Sequence, residues 1–508
     1  MTQPTSDALH LVDQEPAEAL PDVATNNRQI RDIVADAWSA LEASDYGARV
    51  FRYGDALVYA RQVREAQVAL EPLDAPRLTA LLNRSATWVA ETEEGYRNSR
   101  VPQDAVRDML ALPHPDIPWL DAVVHLPVVR RDGPMAPVDG YDPDSRLFVA
   151  TSHAVRAAVG DLSGPPQPQD ALTFLLREVL GDFPFARDSD RAHAISALLL
   201  PVVRHLVDGP TPLHLIEAPT PGTGKTLLAD VIHVVATGEP VEPTPLPRRE
   251  EEVRKKITSV LLGSPALVLL DNINHGIDSP SLAAALTKDR WSDRVLGQSR
   301  MVRLPNRAMW LATANNPVLS REMNRRSVRI RLDADAERPW LRDGFRHPDL
   351  VGWVRSHRGE VIVALLELAR GWLLAGAPEV GVKLGSYAAW ARVIGGVLGH
   401  AGVDGFLDDR QHDEEAEDPV EADWRALVAL WFERFGTDAV EAKALQQVAA
   451  GAGLLDLDDG PVDRRAKARF SRGLSRRRDR IYDGMRIVVV RDSHRKVNRY
   501  ALDPGSTG

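Results

Sequence analysis

The chain has 508 residues, 44% of them hydrophobic and 26% charged, so it is too long for a single small module and too evenly composed for a disordered or membrane protein. It contains no cysteine, which excludes disulfide bridges, thiolate zinc sites, iron–sulfur clusters and a cysteine nucleophile. Its formal net charge of −10 argues against a nucleic-acid partner, unless the basic residues are concentrated in one part of the chain.

Residues 1–25 are acidic and interrupted by proline, without the basic start and apolar stretch of a signal peptide. They are predicted to form a disordered tail. The longest apolar run, at residues 194–207, is broken by Pro201, Arg204 and His205, and it is shorter than the ~18 residues that span a bilayer. We therefore expect a soluble, cytoplasmic protein.

Residues 26–195 are predicted to form an N-terminal domain. A helical pattern covers residues 30–43, and short strand-like pieces at residues 50–52 and 56–59 flank a turn at Gly54. This mixture predicts an α-rich N-terminal domain of mixed α/β type. It carries no catalytic signature, and the sequence does not assign it a role.

Residues 196–335 alternate between short apolar runs and helical patterns. Strands that alternate with helices indicate a parallel sheet with helices on both faces. Residues 336–407 follow with apolar residues at helical spacing and are predicted to be helical. The predicted strands are LHLIEA (213–218), ALVLLD (266–271), AMWLATA (308–314) and VRIRL (328–332).

The first of these strands runs into PTPGTGKT and then into a helix. In such a loop, Gly222 and Gly224 let backbone N–H groups curl around phosphate oxygens, and Lys225 reaches the β- and γ-phosphates. Thr226 supplies the hydroxyl that binds Mg²⁺. The pattern GxxxxGK[ST] is met except at its first glycine, where this chain has Pro219.

The alternative to a phosphate loop is a fortuitous glycine turn. That alternative does not explain lysine followed by threonine in a chain with only eight lysines. We therefore predict ATP and Mg²⁺ as cofactors. The predicted nucleotide-binding residues are Pro221, Gly222, Thr223, Gly224, Lys225, Thr226 and Leu227.

The second predicted strand ends in Asp271. Ligands bind at the carboxyl ends of strands in open α/β sheets, so Asp271 is predicted to hold Mg²⁺ through water. The alternative is an ordinary turn or helix-capping aspartate. Asn272 lies where many phosphate-loop ATPases have the glutamate that polarises the attacking water, and an amide cannot act as a base. The carboxylates that remain as candidates are Glu217, Glu250, Glu251 and Glu252.

Two further features frame the last predicted strand. Asn315 follows the third strand and is predicted to orient water near the γ-phosphate, with a turn before Pro317 as the alternative. Arg325 and Arg326 precede the fourth strand, where paired arginines can stabilise charge on a phosphoryl group bound to a neighbouring subunit. Alone, the pair is typical of a solvated basic turn. The order of the four motifs favours the functional interpretation.

This order, together with LTKDRWSDRVLGQS and RLPNRAMWLATANNP, resembles the AAA+ ATPase module of phage- and plasmid-type primase–helicase and replication-initiator proteins, which is related in layout to superfamily III helicases. The resemblance covers residues 213–406. It implies an AAA+ core at residues 196–335 and a helical lid at residues 336–407. Members of the family form rings, usually hexamers, with ATP at the subunit interfaces and DNA in the central channel.

The resemblance also implies roles for the predicted catalytic residues. Lys225 and Thr226 belong to the first nucleotide motif, Asp271 to the second, Asn315 to sensor 1, and Arg325 or Arg326 to the arginine finger. Pro219 and Asn272 depart from the general AAA+ pattern, and Asn272 leaves the catalytic base unassigned. Lys288, Arg290, Arg294, Arg300 and Arg303 are candidates to line the DNA channel. An exposed basic surface without a role is an equal alternative for these residues.

Residues 408–423 are crowded with acidic side chains, a composition typical of a linker. Residues 424–504 are predicted to form a separate unit, with further helices at residues 442–450 and 461–480 and a hairpin that turns at residues 492–494. Three helices followed by a hairpin resemble a winged helix, whose third helix enters the major groove of DNA. One face of the first helix carries Trp424, Leu427, Val428, Trp431 and Phe435.

The third helix and the hairpin are strongly basic. Residues 461–500 contain fourteen basic and four acidic residues, a net charge of +10 in a chain whose total is −10. Arginine neutralises phosphates and binds guanine edges with two hydrogen bonds. A solvated helix face is the alternative. The predicted DNA contacts are Arg465, Arg469, Arg472, Arg476, Arg477, Arg495 and Lys496.

These patterns predict a multidomain α/β protein that acts as an ATP-driven ring motor on DNA, a replicative helicase or helicase-initiator of a phage or other mobile element. Its predicted partners are single-stranded DNA in the channel, duplex DNA at the winged helix and further copies of the chain. One alternative, motivated by Asn272, is an ATP-binding DNA-recognition protein that hydrolyses slowly or not at all. The other is the helicase part of a primase–helicase, although the sequence lacks a zinc motif and a convincing pair of metal-binding carboxylates.

Overall fold

The computed structural model describes residues 19–130, 139–160, 162, 164–240, 242–274, 276–294, 301–381, 384–408, 419–455, 464–491 and 498–504. The chain divides into two compact units, Met1–Leu407 and Asp408–Gly508. Each unit contains a hydrophobic core of its own. The protein is a multidomain α/β protein, as the sequence predicts.

The first unit begins with a region of short strands and helices. Its elements are β1 (Asp22–Ala24), α1 (Ile30–Glu42), β2 (Val50–Tyr53), β3 (Ala56–Arg64), β4 (Gln67–Pro72), α2 (Ala75–Ser85), β5 (Thr87–Thr92), β6 (Gly95–Asn98), α3 (Gln103–Ala111), β7 (Ala122–Val124), β8 (Asp139–Asp142), β9 (Leu147–Ala150), α4 (His153–Gly160) and α5 (Pro168–Phe174). The strands form three sheets, in the orders β1-β5-β6, β2-β3-β4 and β7-β9-β8.

The helix predicted at residues 30–43 and the strands predicted at residues 50–52 and 56–59 are confirmed. The described part of this region contains nine strands beside the helices α1 to α5, which agrees with the predicted mixed α/β type. Most of these strands are too short to leave a clear period-two pattern in the sequence.

The remainder of the first unit contains the central sheet and the helices around it. Its elements are α6 (Asp188–Val203), β10 (Leu213–Ala218), α7 (Lys225–Thr237), α8 (Glu250–Leu262), β11 (Leu267–Ile273), α9 (Pro280–Thr287), β12 (Arg290–Arg294), β13 (Met301–Pro305), β14 (Met309–Asn315), α10 (Arg321–Asn324), β15 (Ser327–Arg331), α11 (Leu350–Ser356), α12 (Arg358–Leu374) and α13 (Ala388–His400). The helical prediction for residues 336–407 is confirmed by α11, α12 and α13.

The central sheet has four parallel strands in the order β11-β14-β10-β15. All four strands predicted from the sequence are confirmed, with ends that differ by at most two residues. A parallel bridge between Thr244 and Leu270 extends the sheet beyond β11. Because the strands are parallel, their carboxyl ends meet at one edge of the sheet, and the loops that follow them gather there.

Helices cover both faces of this sheet, as the sequence predicts. Ile216, Leu311 and Ile330 pack into one hydrophobic cluster with α6, α7, α12 and α13. Leu215 and Ala312 pack into a second cluster on the other face, with α8, α9 and the hairpin β12–β13. Burial on both faces explains why these strands are continuously apolar rather than alternating. The helices after residue 336 therefore share a core with the sheet.

The N-terminal region packs directly against the hairpin β12–β13. Gly54 has a φ of +59°, and an added Cβ would lie 2.0 Å from the carbonyl oxygen of Arg303. The hydroxyl oxygen of Tyr53 lies 3.3 Å from the carbonyl oxygens of both Leu261 and Pro305, and its single hydrogen can be donated to either. The turn after β2 therefore supports the base of the hairpin, and only glycine fits at its tip.

The second unit contains α14 (Pro419–Phe435), β16 (Val440–Glu441), α15 (Ala442–Gly451), α16 (Arg464–Arg476), β17 (Ile481–Tyr482), β18 (Met485–Arg491) and β19 (Asn498–Asp503). Its sheet is antiparallel in the order β16-β19-β18-β17. The three helices and the following hairpin are therefore present as predicted. In neither unit does a helix of the described ranges combine the length and the apolar composition needed to span a bilayer.

The core of the second unit lies between these helices and the sheet. Of the five residues predicted on the buried face of the first helix, four are buried and Phe435 is partly buried. Phe470 and Leu474 of α16 pack into the same core. The predicted linker at residues 408–423 lies largely outside the described residues.

Candidate functional site

The predicted phosphate loop connects β10 to α7. Gly222 has a φ of +78° and Gly224 a φ of +103°, a left-handed conformation that glycine adopts without strain. Lys225 is the first residue of α7, so the unpaired N–H groups at the start of this helix lie at the loop. These N–H groups and the helix dipole favour a bound anion. The buried Thr223 donates its hydroxyl to the carbonyl oxygen of Thr220 at 2.7 Å, which holds the turn.

Lys225 is only partly exposed, and its ammonium lies 3.4 Å from the carbonyl oxygen of Thr220. Burial lowers the pKa of Lys225, and the negative charge of Asp271 opposes that shift. Lys225 forms no ion pair with any residue in the described ranges, so its charge is available to a phosphate. Pro221 and Leu227, at the two ends of the predicted contact set, are exposed.

Asp271 lies beside the loop at an irregular point of β11. The ladder between β11 and β14 shifts register between Leu270 and Ile273, and Asn272 has a φ of +51°. A bulge of this kind changes the direction of the side chains that it carries. Oγ1 of Thr226 lies 3.5 Å from Oδ1 of Asp271, so the two predicted Mg²⁺ ligands converge.

Thr313 of β14 holds this corner together. Its hydroxyl donates to Oδ1 of Asp271 at 2.5 Å and accepts the backbone N–H of Asn272 at 2.7 Å. Thr313 is buried, with 1% of its surface exposed. Thr313 belongs to none of the motifs predicted from the sequence, although a hydroxyl inside the apolar run MWLATA is a signal for it.

The residues at this corner fit a magnesium ion. The oxygens of Thr226 and Asp271 are the hard donors that Mg²⁺ prefers. Within the described ranges, no three His, Asp or Glu side chains form a group that could hold a metal ion by themselves. Few protein ligands are typical of Mg²⁺ in nucleotide sites, where phosphates and water complete the coordination.

Asn315 is the last residue of β14 and lies in register with Ala218, the last residue of β10. The backbone N–H of Asn316 donates to the carbonyl oxygen of Ala218 at 3.2 Å. Since the phosphate loop begins directly after Ala218, this pairing brings the exposed Asn315 to the start of the loop. The structure therefore brings together the phosphate loop, Asp271 and Asn315.

The two predicted finger arginines, which follow α10, differ in their surroundings. Nη2 of Arg326 lies 3.0 Å from Oε1 of Glu322, and Nη1 donates to the carbonyl oxygen of Glu322 at 3.0 Å. The side chain of Arg325 is exposed and forms no hydrogen bond or ion pair with the part of the chain that the structure describes. Only Arg325 is therefore available to a neighbouring molecule without breaking an existing contact.

Glu217, a candidate base in the sequence analysis, is 2% exposed. Its Oε1 lies 3.3 Å from Nη1 of Arg329 and 3.5 Å from Nη1 of Arg331. Its carboxylate is thus engaged by two arginines of β15, and no described contact brings it to Asp271. This geometry argues against Glu217 as the base.

The other candidate carboxylates, on α8, also have partners. Glu250 accepts the hydroxyl of Ser279 at 2.8 Å and a backbone N–H at the start of α9 at 2.6 Å. Glu251 and Glu252 form ion pairs with Lys255 at 2.9 Å and 3.0 Å. All three glutamates therefore bind side chains or backbone of α8 and α9. No described contact brings any of the three to Asp271.

The hairpin β12–β13 has one buried face and one exposed basic face. Trp291, Asp293, Val302 and Leu304 alternate toward the interior. The residues between them are exposed, which is the period-two pattern of a sheet with one face in water. The exposed basic residues here are Lys288, Arg290, Arg294 and Arg303, and Arg300 lies outside the described residues.

The helix α16 also has an apolar and a basic face. Phe470 and Leu474 are buried, whereas Arg469, Arg472 and Arg476 are exposed. The separation agrees with the face pattern that the sequence predicts. It presents three of the predicted DNA contacts to solvent.

Arg477 differs from these three arginines. Its guanidinium lies 4.5 Å from the ring centroid of Trp424 and donates to the carbonyl oxygen of Gly473 at 3.2 Å. This stacking gives Arg477 a role in the packing of the second unit. Arg495 and Lys496, and the side chain of Arg465, lie outside the described residues.

No family model matches the chain, and no curated protein matches it. Solved structures of JCV helicase align with part of it. One X-ray structure of this helicase has 14% identity and a TM-score of 0.20, covering 54% of this chain and 75% of that chain. An inhibitor-bound structure has 14% identity and a TM-score of 0.19, covering 45% and 65%. TM-scores this low do not establish a shared fold, so the resemblance to AAA+ proteins stays a prediction.

Proposed function

We propose that this chain is an ATP-hydrolysing ring motor that acts on DNA, a helicase or replication initiator of a phage or other mobile element. One observation carries the proposal. A glycine loop opens α7 at the sheet edge, Lys225 forms no described ion pair, and Thr226 lies 3.5 Å from Asp271. Loops of this kind bind the phosphates of a nucleoside triphosphate together with Mg²⁺.

Each residue of the site has a task in this proposal. The N–H groups at the start of α7 bind the phosphates, and Lys225 neutralises charge on the β- and γ-phosphates. Thr226 and Asp271 hold Mg²⁺, which neutralises charge on the phosphate oxygens. Asn315 orients the attacking water, and Arg325 of a neighbouring copy stabilises the charge of the transferred phosphoryl group.

Two basic surfaces support the proposal that DNA is the substrate. The exposed face of the hairpin β12–β13 carries Arg290, Arg294 and Arg303. In the second unit, Arg469 and Arg472 are exposed on the third helix of a helix–helix–helix–hairpin arrangement that is typical of winged helices. Phosphate neutralisation by such arginines is strongly salt-dependent.

ATP turnover with and without DNA tests the proposal. Lys225→Ala should lower DNA-stimulated hydrolysis by roughly 100-fold or more, because it removes charge stabilisation of the transferred group. Duplex binding by the second unit should be retained, and strand displacement should be lost. Lys255→Ala, which removes a partly exposed lysine of α8, is the matched control and should turn over ATP normally. An unchanged rate in Lys225→Ala would exclude the assigned site.

Ring formation has a separate test. The molecular mass in solution should rise to that of a hexamer in the presence of ATP and DNA. A chain that stays monomeric under these conditions would contradict the ring, and with it the role of Arg325 in a neighbouring site.

A second candidate function is an ATP-binding DNA-recognition protein that hydrolyses slowly. It is favoured by Asn272 at the position after Asp271 and by the partners that Glu217 and Glu250 already have. Phosphate release in a single turnover, measured with saturating DNA, separates the two functions. Tight ATP binding without release above the buffer background would favour the second candidate.

A further inference from the structure

Trp340 lies against the phosphate loop, although the two are far apart in the sequence. An added Cβ on Gly222 would lie 3.0 Å from Cβ and 3.4 Å from the ring atom Cε3 of Trp340. The indole therefore contacts the loop at Gly222. Trp340 is nevertheless 58% exposed, so much of its ring remains open to another molecule.

The position of Trp340 is fixed by the turn that carries it. Residues Pro339–Leu341 form a 3-10 turn in which Pro339 is buried. Just beyond the turn, Nη2 of Arg342 donates to the carbonyl oxygen of Asp182 at 2.9 Å. The backbone N–H of Arg346 donates to Oδ2 of Asp182 at 2.7 Å. These bonds fasten the segment to the chain that precedes α6, so Trp340 is held beside the loop.

A second aromatic residue borders the loop from that preceding segment. The ring of Phe183 would lie 3.5 Å from an added Cβ on Gly224, and Phe183 itself is buried. Both glycines of the phosphate loop thus have an aromatic neighbour. Phe183 is anchored in the core, whereas Trp340 presents its ring to solvent.

We infer that Trp340 stacks against the base of the nucleotide whose phosphates the loop binds. This inference rests on the nucleotide site proposed above. A nucleoside triphosphate joins a polyanion to a flat ring with apolar faces, and an exposed indole beside an anion site offers the matching surface. Leu341, the next residue in the chain, is also exposed, at 65%.

Binding of two ligands that differ by the base and sugar tests the inference. The probes are the non-hydrolysable ATP analogue adenylyl imidodiphosphate and inorganic tripolyphosphate, each with Mg²⁺. Trp340→Ala should weaken binding of the ATP analogue by roughly tenfold, the scale of one base–aromatic stack. Its affinity for tripolyphosphate should stay within about twofold, because the loop is intact. Trp340→Phe keeps an aromatic face and should retain most of the affinity.

The matched control is Trp119→Ala, which removes an exposed tryptophan of the N-terminal region and should leave both affinities unchanged. The nucleotide should also alter tryptophan emission in the natural protein and in Trp119→Ala, but not in Trp340→Phe. Since Trp340 is largely exposed, thermal unfolding of all variants should be alike.

Four outcomes would overturn the inference. Equal weakening of both ligands in Trp340→Ala would mean that Trp340 only supports the loop. No weakening of either ligand would exclude stacking. Unchanged affinities with lost self-association would assign the surface to a second copy of the chain. If the natural protein binds neither ligand, the proposed nucleotide site itself is excluded. The other three outcomes do not exclude that site.

Discussion

Arg329 binds Glu217 across the neighbouring strands β15 and β10, with Nη1 3.3 Å from Oε1 and 3.4 Å from Oε2. Arg329 also donates to Oδ1 of Asn324 at 3.1 Å, and Arg331 donates to Oδ1 of Asn316 at 3.4 Å. Because both arginines share the carboxylate of Glu217, this one buried group connects the end of α10 with the loop after β14. It therefore joins the segment that carries the finger candidate to the segment that carries the sensor candidate.

Glu217→Gln should lower the free energy of unfolding by about 1–3 kcal/mol, because two partly buried arginines lose their counter-charge. ATP binding should be retained, since the carboxylate of Glu217 pairs with Arg329 and Arg331 of β15. Denaturant unfolding measures the first effect and nucleotide titration the second. Asp104→Asn, at an exposed ion pair with Arg107, should change stability by less than about 0.5 kcal/mol. Abolished hydrolysis with unchanged stability would instead identify Glu217 as the base.

Thr313→Val should lower the rate of ATP hydrolysis by roughly tenfold while ATP binding is largely kept. The variant leaves the N–H of Asn272 without its acceptor and frees Asp271 to rotate, at a cost of about 1–3 kcal/mol for the unsatisfied group. The Mg²⁺ concentration needed for half-maximal rate should rise, because Asp271 is predicted to hold the ion. Steady-state turnover over a Mg²⁺ series measures both changes.

Thr258→Val is the matched control for Thr313→Val. Thr258 also donates to an aspartate, Asp293, at 2.7 Å and accepts an N–H, from the indole of Trp291, at 2.8 Å. Thr258 is also buried, but it lies between α8 and the hairpin β12–β13. Thr258→Val should lose a similar amount of stability without any change in Mg²⁺ dependence. If both variants needed more Mg²⁺ for the half-maximal rate, Thr313 would have no special role.

Arg358→Met should destabilise the first unit by about 3 kcal/mol. The buried guanidinium donates to the carbonyl oxygens of Val234 at 2.9 Å and His125 at 2.6 Å, so it binds the carboxyl end of the phosphate-loop helix α7. Methionine fills a similar volume but leaves these carbonyls without donors. Thermal unfolding measures the loss. Arg355→Met, at an exposed pair with Glu239, should have little effect, and equal losses in both variants would contradict this account.

The first unit should lose stability as the pH falls below about 6.5. Burial lowers the pKa of His214 to about 3 and that of His125 to about 4. Between these values and the ordinary pKa, the unfolded chain binds protons that the folded protein excludes, so acid favours unfolding. Each histidine contributes a slope of about 1.4 kcal/mol per pH unit. Urea midpoints at pH 7 and pH 5 measure the combined effect.

His214→Leu should remove roughly half of this pH dependence, because a side chain without a proton site carries no linkage. His214 lies in β10 beside Trp390, and its Nε2 lies 3.1 Å from the hydroxyl of Ser196. That hydroxyl keeps its bond to the carbonyl oxygen of His193 when leucine replaces the imidazole. His153→Leu changes an exposed histidine and should leave the slope as it was. A slope unchanged in His214→Leu would show that other groups dominate acid unfolding.

Local sequence signals predict much of this site. The apolar runs identify all four parallel strands, and the spacing of glycine, lysine and threonine locates the glycine loop between β10 and α7. The position of Asn315 at the end of β14, level with the end of β10, also follows from the sequence, because the carboxyl ends of parallel strands meet at one edge. These features depend on short segments whose chemistry is visible without knowledge of the fold.

Contacts between distant segments are not predictable in the same way. In the sequence, Arg329 and Arg331 belong to an ordinary strand pattern in which polar and apolar residues alternate. Only the pairing of β15 with β10 brings them to Glu217. Trp340 gives no local signal of its position beside Gly222. The N-terminal region likewise has no motif, yet Gly54 packs against Arg303 of the hairpin β12–β13.

Arg325→Ala should reduce hydrolysis far more than Arg326→Ala, by roughly 100-fold or more against a few-fold. Arg326 already pairs with Glu322, whereas Arg325 is exposed and forms no bond with the described part of the chain. Because the arginine is proposed to act on a neighbouring site, mixing Arg325→Ala with Lys225→Ala should restore part of the activity: the first variant supplies an intact loop and the second an intact arginine. Turnover of the mixture, measured against each variant alone, checks this, and a mixture no more active than its parts would exclude action between copies.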